Sequence, residues 1–145
     1  MAVSIPSNQI QNPRVIEAAV AGPDGANRLF TVAGQFDINF NVFSPGGGQT
    51  QQNETFKVLV GPVLSRQQFF RAIGTASMAK TNVVQQSPPP SQFGWSITGI
   101  DADWDDESGQ VELRGEVSVF ASGLNNRAGI VGLAFQVTIL AAVAA

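Results

Sequence analysis

Three residue types are missing from this chain of 145 residues, which has no cysteine, no histidine and no tyrosine. Without cysteine there is no disulfide, no thiol nucleophile and no cysteine-ligated zinc or iron–sulfur site. Without histidine the chain lacks the commonest general base and metal ligand, so a Ser-His-Asp or Cys-His site cannot form. Carboxylates, a lysine nucleophile or a hard cation held by oxygen atoms remain, and we expect a protein that is not an enzyme.

Charge is also scarce in this sequence. Charged residues make up 13% of the chain and the formal net charge is −3, whereas soluble proteins typically carry about 25% charged residues. There is no basic stripe, so nucleic acid is not expected as a partner. Residues 1–10 lack the charged and apolar regions of a signal peptide, and the apolar residues after 129 are interrupted by Gln136 and Thr138. We therefore expect a soluble protein of unassigned compartment, with no membrane span and no visible signal peptide.

Apolar and polar residues alternate along residues 30–42, 111–119 and 131–139. Such alternation is typical of strands with one buried and one exposed face. With the intervening turn residues, the pattern predicts at least six strands and one all-β domain over residues 14–145, an antiparallel β-sandwich of jelly-roll type. The predicted core is Phe30, Val32, Phe36, Ile38, Phe40, Val58, Val60, Val111, Leu113, Val117, Val119, Leu133, Phe135, Val137 and Ile139.

One segment favours a short helix. Ser65 and Gln68 have the three-residue spacing of a capping box, in which each side chain bonds the backbone N–H of the other. Gly74 is a suitable residue to end the helix. The side chains expected to face inward are Phe69, Phe70 and Ile73.

Two features predict that the chain forms a homo-oligomer. Residues 1–13 are polar, contain two prolines and are expected to form an N-terminal arm, either a disordered tail or a segment that docks on a neighbouring subunit. Small, uncharged residues also fall on or near the outward positions of the strands, where they defend strand edges poorly against pairing. These residues are Ala33, Ala134, Ala141 and Ala142. The alternative is that an edge is covered by the chain's own arm or by the proline-rich segment at 87–91.

An acidic segment suggests two different roles. Asp101, Asp103, Asp105 and Glu112 have the spacing of positions one, three, five and twelve of a calcium-binding EF-hand loop. However, Asp106 stands where that loop needs glycine, and the flanking residues are predicted strands. The same residues also suit a solvated hairpin tip, because aspartate, serine and glycine favour turns. No cofactor is expected apart from this candidate calcium site.

The two tryptophans, Trp95 and Trp104, lie near this acidic segment. A tryptophan at the mouth of a loop can stack on a sugar or anchor a protein interface, although both can equally be core residues. Together with Asp103 and Asp105 they are the candidate ligand-binding residues.

Residues 95–140, about a third of the chain, resemble small lectin-like sandwich domains in the order of a strand, an acidic turn and an arginine-bearing strand at Val111-Glu112-Leu113-Arg114. The leading functional prediction is a structural protein that assembles with itself through its β-faces and its arm. The alternative is a carbohydrate- or ligand-binding module assisted by calcium, with a glycan or another protein as partner.

Overall fold

A computed structural model of the chain describes residues 2–22, 25–46, 48–88 and 90–142. Eight strands form within these residues, and the only helical element is a single 3-10 turn at Ser7–Gln9. The strands are β1 (Ala2–Ile5), β2 (Gln11–Gly22), β3 (Gly25–Ser44), β4 (Gln49–Val60), β5 (Phe69–Val84), β6 (Phe93–Trp104), β7 (Val111–Ser122) and β8 (Asn126–Ala142).

The strands form two sheets of four, which confirms the predicted sandwich and matches the strand count of a double-sheet jelly roll. Sheet 1 has the order β1-β4-β7-β6, and sheet 2 has the order β2-β3-β8-β5. Neighbouring strands are antiparallel except β1 and β4, which run parallel. No helix in the described part of the chain is long and apolar enough to cross a membrane.

The core lies between the sheets, and the predicted core residues are buried there, except for Phe40, which is only partly buried. Phe40 lies at an irregularity of the sheet. The pairing of β3 with β8 shifts between Asp37 and Phe40, and Asn39 adopts a positive φ of 50° there. Asparagine tolerates this backbone conformation better than most residues. The inward alternation continues past it, because Ile38 and Val42 are buried and Phe40 still packs against the core.

Three phenylalanine rings occupy the centre of the core. The Phe36 ring centroid lies 5.3 Å from that of Phe56 and 5.9 Å from that of Phe135. Gly115 on β7 faces inward and makes room for this cluster, since a Cβ atom there would lie 2.5 Å from the Phe56 ring. Residues from both sheets therefore meet around one aromatic cluster.

The predicted helix after Leu64 is wrong, although its capping box forms. The Ser65 N–H donates to Gln68 Oε1 over 2.8 Å, and the Gln68 N–H donates to Ser65 Oγ over 3.3 Å. The turn ends there, because from Phe69 onward the chain pairs with β8 as strand β5. Phe69 packs against the core, whereas Phe70 and Ile73 are exposed instead of facing inward.

The segment predicted as an N-terminal arm contacts the body of its own chain. Strand β1 pairs with β4, and Ile5 is buried in the core. Ser7 Oγ then donates a hydrogen bond to the Leu59 carbonyl over 3.3 Å. Within one chain, this segment covers the edge of β4.

Candidate interaction surfaces

Both tryptophans lie on the inner side of β6 and hold the sheets and turns together. The Trp95 indole N–H donates to the Gly129 carbonyl on β8 over 2.9 Å. The Trp104 indole N–H lies 3.1 Å from the Leu64 carbonyl and 3.2 Å from the Gly109 carbonyl. The polar atom of each ring is therefore used for structure, because a half-buried indole N–H needs an acceptor.

Trp104 and Asp103, two of the candidate ligand-binding residues, both line one small pocket. The pocket has a volume of about 310 Å³, and its other lining residues are Arg66, Phe69 and Phe70. The Arg66 guanidinium lies 5.8 Å from the centroid of a Trp104 ring, within cation–π range. The remaining candidates, Trp95 and Asp105, do not line this pocket.

Three of the four predicted calcium ligands lie on the outer side of sheet 1. Asp101 and Asp103 point outward from β6, where they pair with Arg114 and Glu112 of β7. Glu112 accepts a hydrogen bond from Arg114 on its own strand. This hydrogen bond and the negative charge of Glu112 raise the pKa of Arg114 above its ordinary value. Glu112 is thus paired with a cation from its own sheet.

The fourth predicted ligand, Asp105, shapes the β6–β7 turn. Its Oδ2 accepts hydrogen bonds from the Ser108 hydroxyl over 2.7 Å and from the Ser108 N–H over 3.0 Å. These two bonds lower the pKa of Asp105, with smaller contributions from the charges of Lys57 and Arg114. Such bonds are typical of a hairpin tip. No group of three or more acidic, histidine or cysteine side chains positioned to hold a metal occurs in the described residues, which include all four candidates.

A broad groove covers the outer side of sheet 1. It has a volume of about 1000 Å³ and is lined by residues of β1, β4, β6 and β7 and of the β6–β7 turn. We call the outward side chains of sheet 1 and of this turn the acidic face. Among the described residues it carries seven carboxylates and two cations, Lys57 and Arg114. The carboxylates are Asp101, Asp103, Asp105, Asp106, Glu107, Glu112 and Glu116.

The outer side of sheet 2 has a different character, and we call it the apolar face. Residues paired across neighbouring strands lie on the same side of a sheet. One such row runs Ile16, Thr31, Thr138 and Ile73 across all four strands. The adjacent rows are Ala18, Leu29, Leu140 and Arg71, and Arg14, Ala33, Gln136 and Thr75. Ile16 and Ile73, one at each edge, are 64% and 62% exposed.

The sequence located part of this apolar face. Ala33, Ala134 and Ala142 point outward as predicted, whereas Ala141 points inward and is fully buried, a correction to its predicted position. Ile16 was missed because it follows Val15 directly and breaks the alternation. Ile73 was assigned to the inner face of the predicted helix. Residues two apart on a strand point to the same side, and Ile73 lies two residues before the polar Thr75. Thr75 points outward, and so does Ile73.

Comparison with known proteins gave no match, neither to a family model, nor to a curated protein, nor to a solved structure.

Proposed function

We propose that this protein is a non-enzymatic structural protein that assembles into a homo-oligomer through its β-faces. The observation that carries the proposal is the apolar face, where two isoleucines are more than half exposed in one row. Isolated exposed apolar residues are common on protein surfaces, but these two lie at the ends of a row that is flanked by Ala18, Leu29 and Leu140 in the next row. An apolar surface of this extent is typical of an interface.

The size of this face supports the same proposal. The shortest strand of sheet 2, β2, has 12 residues, and four strands of that length about 4.8 Å apart cover roughly 750 Å². A standard protein–protein interface buries about 800 Å² on each partner. The face is therefore large enough for specific association, and burying each isoleucine contributes roughly 1.5–3 kcal/mol before the cost of association is subtracted.

The edges of sheet 2 offer further unpaired surface. Strand β2 is exposed along nearly its whole length and has Val15, Ile16 and Val20 among its exposed residues. An edge strand with few charges is poorly protected against pairing with another chain. In this proposal the N-terminal segment has a smaller role in assembly than the sequence predicted, because β1 already pairs with β4 of its own chain.

Sedimentation velocity at micromolar concentration tests the proposal, with an oligomer expected and a monomer refuting it. The double variant Ile16→Gln/Ile73→Gln should weaken association at least tenfold, because the apolar contact is lost and two neutral amides would need desolvation in the interface. Val63→Gln is the matched control, since Val63 is 73% exposed but lies in the segment between β4 and β5, outside both sheets. An equal loss of association in the control would contradict the role of the apolar face.

A second candidate function rests on the small pocket of Trp104, Asp103 and Arg66. An aromatic ring beside one carboxylate and one guanidinium is a suitable site for a sugar or another polar ligand. A glycan array, with and without calcium, tests this candidate. Asp103→Asn is the variant to compare, because Trp104 also supports the fold through its hydrogen bonds. An array without hits under both conditions would argue against it.

A further inference from the structure

The two outer faces carry opposite charge. On the acidic face, seven carboxylates against Lys57 and Arg114 leave an excess of five negative charges among the described residues. On the apolar face the charged residues of the described chain are four cations and one carboxylate, an excess of three positive charges. They are Arg14, Arg71, Lys80, Arg127 and Asp37, and all five are exposed.

We infer that the apolar face of one copy docks on the acidic face of the next, so that the chain assembles head to tail. This inference rests on the proposed function, since it specifies which surfaces meet in the homo-oligomer. The occupant of the acidic face is thus a second copy of this chain. The groove on that face supplies a concavity of about 1000 Å³ with Asp101, Glu112 and Glu116 among its lining residues.

Electrostatics favour this pairing over the two symmetric ones. Arg14 and Arg71 lie at opposite edges of sheet 2. If two apolar faces met, these arginines would approach the same positively charged residues on the second copy. If two acidic faces met, the excess of carboxylates on each would repel that on the other. Only the contact between an apolar face and an acidic face places opposite charges against each other. Like charges across the interface disfavour the other two contacts.

The arrangement has a consequence for symmetry. In a head-to-tail contact the two surfaces differ, so every dimer retains one free face of each kind. Further copies can then add until the rotation between neighbours closes a ring, or indefinitely if it does not close. A two-fold dimer would instead use the same patch on both copies.

Two variants, each with one face reversed in charge, test the inference. Asp101→Lys/Asp103→Lys alters the acidic face, and Arg14→Glu/Arg71→Glu alters the apolar face. All four side chains are exposed. Each variant alone should associate at least tenfold more weakly than the original chain. An equimolar mixture should associate again, because the first variant keeps its apolar face and the second keeps its acidic face, and the substituted residues of the two reversed faces are once more opposite in charge.

The possible outcomes separate the inference from the proposed function. A monomeric original chain refutes self-assembly itself. An original chain that assembles, together with an acidic-face variant that assembles equally well alone, shows that the acidic face is not needed and overturns the head-to-tail contact. An assembling original chain with a mixture that stays monomeric also overturns it. Association in the mixture, with neither variant assembling alone, supports it.

Matched controls show whether any reversal of charge has the same effect. Glu17→Lys and Glu17→Gln change a charge outside both faces, because Glu17 lies on the inner side of β2. Both should assemble as the original chain does, and equal weakening in them would contradict the assignment of faces. If a double reversal prevents folding, judged by circular dichroism, the neutral versions Asp101→Asn/Asp103→Asn and Arg14→Gln/Arg71→Gln replace it.

Higher ionic strength should weaken the assembly of the original chain by screening, and no salt dependence would count against the charge pairing.

Discussion

The inner faces of the two sheets are built alike, but their outer faces differ. Both inner faces present valine, leucine, isoleucine and phenylalanine to one core. Outward, sheet 1 and its β6–β7 turn together carry seven of the eleven acidic residues of the chain beside a groove, whereas sheet 2 carries rows of isoleucine, threonine, alanine and leucine. The comparison teaches that the inward positions determine the fold, while the outward positions leave each sheet free to acquire a surface of its own.

The largest effect on the free energy of unfolding is expected for a residue of the core that both sheets share. Phe36→Ala should lower the free energy of unfolding by about 3–5 kcal/mol, because Phe36 is fully buried between Phe56 and Phe135. Ile73→Ala on the apolar face should change the stability of the monomer by no more than about 0.5 kcal/mol. Urea unfolding, at a concentration where the chain is monomeric, measures the free energy of unfolding of both variants. Similar losses in the two would contradict the distinction between inner and outer positions.

A smaller effect is expected from two glycines on neighbouring strands of sheet 1. Gly115→Ala should cost about 1–3 kcal/mol, because its Cβ atom would lie 2.5 Å from the Phe56 ring and force the core to shift. Gly99→Ala is the control, since nothing lies within 4 Å of a Cβ atom there. Thermal unfolding of the two variants sharpens the comparison, and a loss in Gly99→Ala equal to that in Gly115→Ala would be the contrary result.

The smallest effect concerns the pH response of the acidic face. The hydrogen bonds from Ser108 lower the pKa of Asp105 in the folded protein. They therefore stabilise the fold at pH values above the pKa that Asp105 has in the unfolded chain, and this stabilisation is lost as the pH falls through the pKa of Asp105 in the folded protein. Asp105→Asn should therefore be less stable than the original chain at pH 7. The difference should shrink as the pH is lowered below about 4.

Urea midpoints at pH 7, 4 and 2.5 measure this difference. Ser108→Ala removes the hydroxyl donor from the other side of the same contact and should give the same trend. A difference between Asp105→Asn and the original chain that stays constant over this range would show that ionisation of Asp105 is not involved.

The sequence predicted the strands and the core well because alternation has a direct physical cause. Successive side chains of a strand point to opposite sides, so one buried face appears as a period of two. Thus Phe30, Leu113 and Val137 could be placed before their partners were known. Phe40 also faces the core but is only partly buried, and the shift in register beside it is not visible in the residue pattern.

The helix and the acidic segment were harder because their outcome depends on distant partners. Ser65 and Gln68 make the expected capping bonds, but the residues that follow pair with β8, about 60 positions later in the chain. Asp101 and Glu112 match the spacing of a calcium loop, but the hairpin places Asp101 opposite Arg114 and not opposite Glu112. Spacing along a sequence does not reveal which side chains the pairing of strands makes neighbours.

Strand β8 is the last described strand in chain order, and it lies between β3 and β5 in the interior of its sheet. During synthesis, β3 and β5 therefore emerge from the ribosome before the strand that joins them. Sheet 2 can complete its hydrogen-bonded ladder only when β8 arrives, and such long-range pairing is slow to form. The surface proposed for self-association is therefore complete only after β8 has paired with both of its neighbours.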